Sequence, residues 1–189
     1  MSSSYYKVVV SGVGHDRPGM VAALAEVLCQ FECNIEDSTM TRLAHEFAMI
    51  LIISVPVTIS LPAIQSALQA VEERVGLTLV AKLLNEDFNP VSPAQGPKNG
   101  AQPYLISVAG RDRTGITHQV AQHLSQLQVN ITDLNARIIE GEDSPVYLMM
   151  LEVEAPAALA SETLKQSLAS LAKAISVEIQ VREIEAAVF

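Results

Sequence analysis

Several things are scarce in this chain, and each scarcity excludes something. There are only two cysteines in 189 residues. A disulfide framework is therefore not expected, and neither is a zinc site, since Cys29 and Cys33 have no second Cys/His pair to complete the ligand set. Two buried, inert thiols are the expectation. Basic residues are also few, 12 against 21 acidic ones, for a net charge of −9. Nowhere do five basic residues cluster. Direct nucleic-acid binding needs a basic footprint, so none is expected. No apolar run reaches 18 residues and no secretory leader is evident, which together imply a soluble cytoplasmic protein with no membrane association.

Nor are the catalytic patterns complete. Gly12-x-Gly14 follows an apolar run, but the third glycine of a dinucleotide fingerprint would fall on Arg17. His118 and His123 are five apart on an expected helix, which misses the spacing of a two-histidine metal site. No nucleophile, base and oxyanion group fall in a recognisable order. Neither a cofactor, a metal nor a catalytic residue is therefore assigned.

What is present is a duplication. Gly14-His15-Asp16-Arg17-Pro18-Gly19-Met20 returns as Gly110-Arg111-Asp112-Arg113-Thr114-Gly115-Ile116. The offset of 96 residues, Gly14 to Gly110, holds without a gap from Val8 to Asp37, with eleven of those thirty positions identical. It ends on Asn34-Ile35-x-Asp37, matched by Asn130-Ile131-x-Asp133. The chain is a tandem repeat of one unit.

Periodicity gives the elements of that unit. Strands are predicted at 5–11, 35–43, 47–53 and 77–84, and helices at 18–31 and 60–75. Gly76 is placed to end the second helix. The order β-α-β-β-α-β is the ferredoxin-like unit, an α+β fold with an antiparallel sheet and both helices on one face. Phe47 to Ile53 is apolar throughout, which predicts burial on both faces and a further layer over the helix-free side. A linker at 86–103, rich in proline and glycine, separates unit 1 (5–85) from unit 2 (104–185). Unit 2 repeats the order, with a turn at Glu140 to Asp143 lengthening one hairpin by four residues, since Pro56 matches Pro156. Mean hydropathy is +0.28, high for two small folds, so part of the apolar surface is expected at contacts between units or in a homodimer.

In each copy the repeated phrase is a strand-to-helix turn, whose free N–H groups favour a carboxylate or phosphate. Asp16 and Asp112 are expected as helix caps. Arg17 and Arg113 are open between gripping a carboxylate ligand and pairing with surface acids. The recurrence of Asn34 and Asn130 with the glycine phrase indicates one task shared by both features.

Asp-Arg-Pro-Gly, then Cys33-Asn34-Ile35-Glu36-Asp37-Ser38, then Glu46-Phe47 leading an apolar strand, resemble the ACT domain, here in two tandem copies. That resemblance implies regulation. ACT units bind amino acids at interfaces between units. The tandem-ACT transcriptional repressors work without a DNA-binding domain, associate with a DNA-bound activator protein and respond to glycine. ACT units also serve as regulatory or accessory parts of amino-acid and folate enzymes. Ligand-binding residues implied are Gly14, Asp16, Arg17, Pro18, Gly19, Met20, Asn34 and Ile35 in the first copy. In the second they are Gly110, Asp112, Thr114, Gly115, Ile116, Asn130 and Ile131. In a β-α-β unit the glycine phrase and the asparagine lie at opposite ends. A site is therefore expected to join Gly14–Met20 to Asn130–Ile131, and Gly110–Ile116 to Asn34–Ile35, across a seam.

Overall fold

The computed structural model describes residues 4–84, 100–140 and 144–184. The linker expected at 86–103 falls mostly outside these, as do Gly141 to Asp143 of the longer hairpin. The chain divides into two compact units, and each is described by itself.

Unit 1 runs β1 (Tyr5–His15), α1 (Met20–Gln30), β2 (Asn34–Leu43), β3 (Glu46–Pro56), α2 (Leu61–Val75) and β4 (Leu77–Leu83). Its sheet is antiparallel with strand order β2-β3-β1-β4. Unit 2 runs β5 (Gln102–Arg111), α3 (Ile116–Gln126), β6 (Asn130–Ile139), β7 (Val146–Ala155), α4 (Ser161–Ala174) and β8 (Glu178–Glu183). Its strand order, β6-β7-β5-β8, is the same topology. Both units are ferredoxin-like, as the element order predicts.

The helices cover one face. In unit 1 Val8 and Val10 lie across from Ile53 and Leu51, and Ala81 lies beside Val10. All of these are buried together with Met20, Leu24 and Leu28 of α1 and Ile64 and Leu68 of α2. Unit 2 repeats the layer with Ile106, Val108, Met149, Leu151, Ile116, Val120, Leu124, Leu164 and Leu168. Each large apolar side chain so buried stabilises its unit by roughly 1.5–3 kcal/mol.

Three expectations are corrected. Strand β1 does not stop at Ser11 but runs on to His15, pairing with Glu46, so the glycine phrase begins inside the sheet. Helix α1 starts at Met20 rather than at Pro18, because Gly19 takes φ +94°, a left-handed conformation outside the helix. Strand β3 is also not buried on both faces. Phe47, Met49, Leu51 and Ile53 point under the helices, but Ile50, between them, stays 50% exposed. The apolar run reflects a core face and an apolar outer face, not two layers within the unit.

Candidate functional site

The glycine phrase is built by close backbone approach. A Cβ on Gly14 would stand 2.5 Å from the Gly76 carbonyl oxygen, and one on Gly110 would stand 2.8 Å from Val177 Cγ1. Neither position admits a side chain, because here the first strand crosses the corner between the second helix and the last strand. The chain then turns through Gly19 or Gly115, at φ +94° and +100°, directly into α1 or α3. No side chain caps either helix. Among the described residues, nothing caps the first-turn N–H groups of Met20 and Val21, or of Ile116 and Thr117. Met20 and Ile116 are 2% exposed, their side chains belonging to the cores of their units.

The expected cap, Asp16, does something else. Its carboxylate accepts from Arg42 at 3.2 Å, and its N–H donates to the His45 carbonyl at 2.7 Å. Asp112 N–H likewise donates to the Pro145 carbonyl at 3.0 Å. The two aspartates tie the phrase to the neighbouring hairpin end instead of capping the helix. Among the described residues neither arginine pairs with a surface acid. Arg17 Nε donates to the Val75 carbonyl at 2.7 Å, and Arg113 donates to the Ile175 carbonyl. Each guanidinium closes the C-terminal end of the unit's second helix, where carbonyls lack helix partners. They position the phrase, a role that only the distant recurrence of a helix end could have revealed in the sequence.

Around the unit 1 phrase the structure gathers further polar residues. His15 Nδ1 lies 3.5 Å from Glu46 Oε1, and the His15 and His45 rings are 6.0 Å apart. Arg42 completes this rim. Thr114 is exposed in the corresponding turn of unit 2, where Pro18 stands in unit 1.

Asn34 and Asn130 are both exposed, at the first residue of β2 and of β6. Asn130 and Ile131 line a shallow groove of about 410 Å³ with Ala121, Ser125 and Gln128. These residues are remote from the glycine phrase of their own unit. Gly14 pairs with Phe47 and Asn34 with Ser54, seven residues further along β3. Gly110 pairs with Tyr147 and Asn130 with Glu154, again seven along β7. At about 3.3 Å per residue the gap is roughly 23 Å, too far for one amino acid to bridge.

The other candidates belong to packing. His123 Nε2 is 2.7 Å from Ser167 Oγ, a helix-to-helix hydrogen bond in unit 2. The cysteines are only half as expected: Cys33 is partly buried, and burial pushes its thiol pKa up, but Cys29 is exposed. No described helix is long and apolar enough to cross a membrane.

Comparison with known proteins agrees with this architecture. Over 90% of its length the chain is 24% identical to the glycine cleavage system transcriptional repressor of Escherichia coli K12, covering 86% of that protein. A crystal structure of a protein of unknown function from Galdieria sulphuraria superposes with a TM-score of 0.77 at 25% identity, over 96% of this chain and 100% of that one. Another structure, provisionally assigned as a glycine cleavage system transcriptional repressor, gives 0.73 at 21% identity, over 97% and 99%. The ACT domain model matches residues 7–82 and again 102–182, one match for each unit. With both units matched, the chain belongs to the ACT domain family, as a tandem-ACT protein homologous to the glycine cleavage system transcriptional repressor.

Proposed function

We propose that this protein is an amino-acid-responsive repressor of the glycine cleavage system. It acts by binding a DNA-bound activator protein, with glycine as the favoured effector. It is not an enzyme. The observation that carries the reading is the pair of uncapped helix N-termini, each opened by a glycine at positive φ and each accompanied by Asn-Ile-x-Asp. Those N–H groups suit a carboxylate. An asparagine offers a carbonyl to the ammonium and an NH2 to the carboxylate. Since the two halves lie roughly 23 Å apart within a unit, each site takes its halves from different units, in one chain or two. Gly14–Met20 serves with Asn130–Ile131, and Gly110–Ile116 with Asn34–Ile35. Arg17 and Arg113 hold each phrase against a helix end, and Asp16 and Asp112 hold it against the hairpin. The net charge of −9 supports repression through a protein partner rather than DNA.

The test is calorimetry with glycine and the other common amino acids. Asn34→Ala and Asn130→Ala should each cost roughly 1.5–3 kcal/mol of binding at one site, the worth of a hydrogen bond to a charged group. Unchanged affinity in the double variant would rule out the site. A tight, sequence-dependent gel shift by the protein alone at physiological salt would rule out the partner-mediated mechanism.

A further inference from the structure

The face of the unit 1 sheet away from the helices is apolar. Val13, Ile50 and Val80 are 53%, 50% and 55% exposed, and Val9 and Ile52 are half-buried between them. The register sets these side chains in rows across the strands. One row reads Asp37, Ile52, Val9, Lys82 from β2 to β4. The next reads Thr39, Ile50, Ser11, Val80, and the third Thr41, Ala48, Val13, Thr78. Three rows thus carry two charges, of opposite sign, at opposite ends of the same row. In the adjoining rows Lys7 and Glu36 are paired to each other at 2.6 Å, and Glu46 lies 3.5 Å from His15. Among the described residues Lys82 forms no ion pair.

We propose that this face is a homodimer interface, on which the same face of a second copy stacks about a two-fold axis parallel to the strands. That axis lays β2 of one copy over β4 of the other and keeps each row over itself. Asp37 then meets the second copy's Lys82 at both ends of the row, and Ile50, Ile52, Val9 and Val80 are buried between. A two-fold across the strands would instead set Asp37 over Thr41 and Lys82 over Thr78, leaving both charges alone. The rows are self-complementary only in the first arrangement, and aligned stacking is the ordinary geometry for two such sheets. Unit 2 does not offer the same surface. Its matching first row is Asp133, Glu152, Leu105, Arg182, and Glu152 on the middle strand would be buried without a partner. Four strands at about 4.8 Å by about six residues make a footprint of roughly 400 Å² per copy. The total of roughly 800 Å² is the size of a weak, transient interface, so the dimer should be reversible, with a dissociation constant in the micromolar range or above. The inference does not depend on the amino-acid site.

Sedimentation equilibrium of the whole protein from about 1 to 100 μM tests it. Wild type should shift from monomer to dimer. Ile50→Glu should weaken dimerisation by more than about tenfold, since it buries a charge at the centre. Met150→Glu, at the matching place in unit 2, should leave it as in wild type. Lys82→Asp should weaken it by about threefold or more, since two surface pairs are lost and like charges meet, and Asp37→Lys with Lys82→Asp should restore it. Circular dichroism confirms that each variant is folded. A monomer at every concentration, or a dimer that Ile50→Glu leaves intact, overturns the proposal. A dimer that the double charge reversal fails to restore overturns the two-fold along the strands.

Discussion

Set side by side, the two units agree where the backbone is constrained and part where it meets solvent. Gly14 and Gly110, Arg17 and Arg113, Gly19 and Gly115 are identical pairs, and each does the same geometric task in its unit. On the outer sheet face the agreement ends. Ile50 becomes Met150, Ile52 becomes Glu152, Val80 becomes Gln180 and Lys82 becomes Arg182. The last strands differ as well. Along β4, Glu72 accepts from Leu79 N–H and Gln65 donates to the Ala81 carbonyl, so α2 covers a free sheet edge. The matching residues beside β8 are Ala172 and Lys165, and Lys165 reaches Glu183 instead. A free edge invites pairing with another chain, so the units manage this hazard differently. The difference teaches that the two copies share the turn and diverge on the outer surfaces.

The largest effect that can break this comparison lies in the cores. Leu68 and Leu168 are matching buried leucines on α2 and α4. Leu68→Ala should destabilise unit 1 by about 2–5 kcal/mol, and Leu168→Ala unit 2 by a similar amount. Hydrogen exchange should show the loss confined to the substituted unit. Loss spread equally over both units would show that they fold as one.

A smaller effect sharpens the contrast at the second helix end. Gly76 takes φ +64°, and a Cβ there would fall 2.1 Å from an Arg17 guanidinium nitrogen. Ser176 occupies the matching position in unit 2 at φ +50°. Gly76→Ala should cost about 1–2 kcal/mol, both from the left-handed backbone and from displacing Arg17. Ser176→Gly should stabilise unit 2, by no more than about 1 kcal/mol, because relief of the backbone is offset by a freer unfolded chain. Denaturant midpoints measure both. The same sign in both variants would refute the account of this cap.

Much of this was legible in the sequence, and the exceptions have physical causes. The helices followed from periodicity, because each has an unbroken core face: Leu61, Ile64, Leu68 and Val71 mark α2. The repeat located the glycine phrase. Hidden were contacts made at long range. Arg17 meets Val75 and Asp16 meets Arg42, and nothing in the local phrase names either partner. Strand β3 misled because two different demands, a core face and an apolar outer face, write the same unbroken apolar run. The separation of glycine phrase from asparagine could be argued from topology alone; the register supplied its size.

The smallest effect concerns the edge of β8. Glu183 accepts from Ser161 at 2.5 Å and from Lys165 at 3.4 Å. The Ser161 hydrogen bond, then Lys165, holds its carboxyl below the ordinary value of 4.5. In unit 1 the matching residues are Leu61 and Leu83, so this carboxylate has no counterpart there. A folded-state pKa below the unfolded one means that the unfolded state binds more protons in the interval between them. The contribution is therefore complete above the ordinary glutamate range and is lost as pH falls through the lowered folded value. Glu183 is exposed, so solvent screening keeps the effect on stability small. The carboxyl itself is the better reporter. Its NMR titration should lie to the acid side of 4.5, and Ser161→Ala should move it back toward 4.5 more than Lys165→Ala does. A titration unmoved by Ser161→Ala would mean that the hydrogen bond is not what holds the edge of β8 to the start of α4.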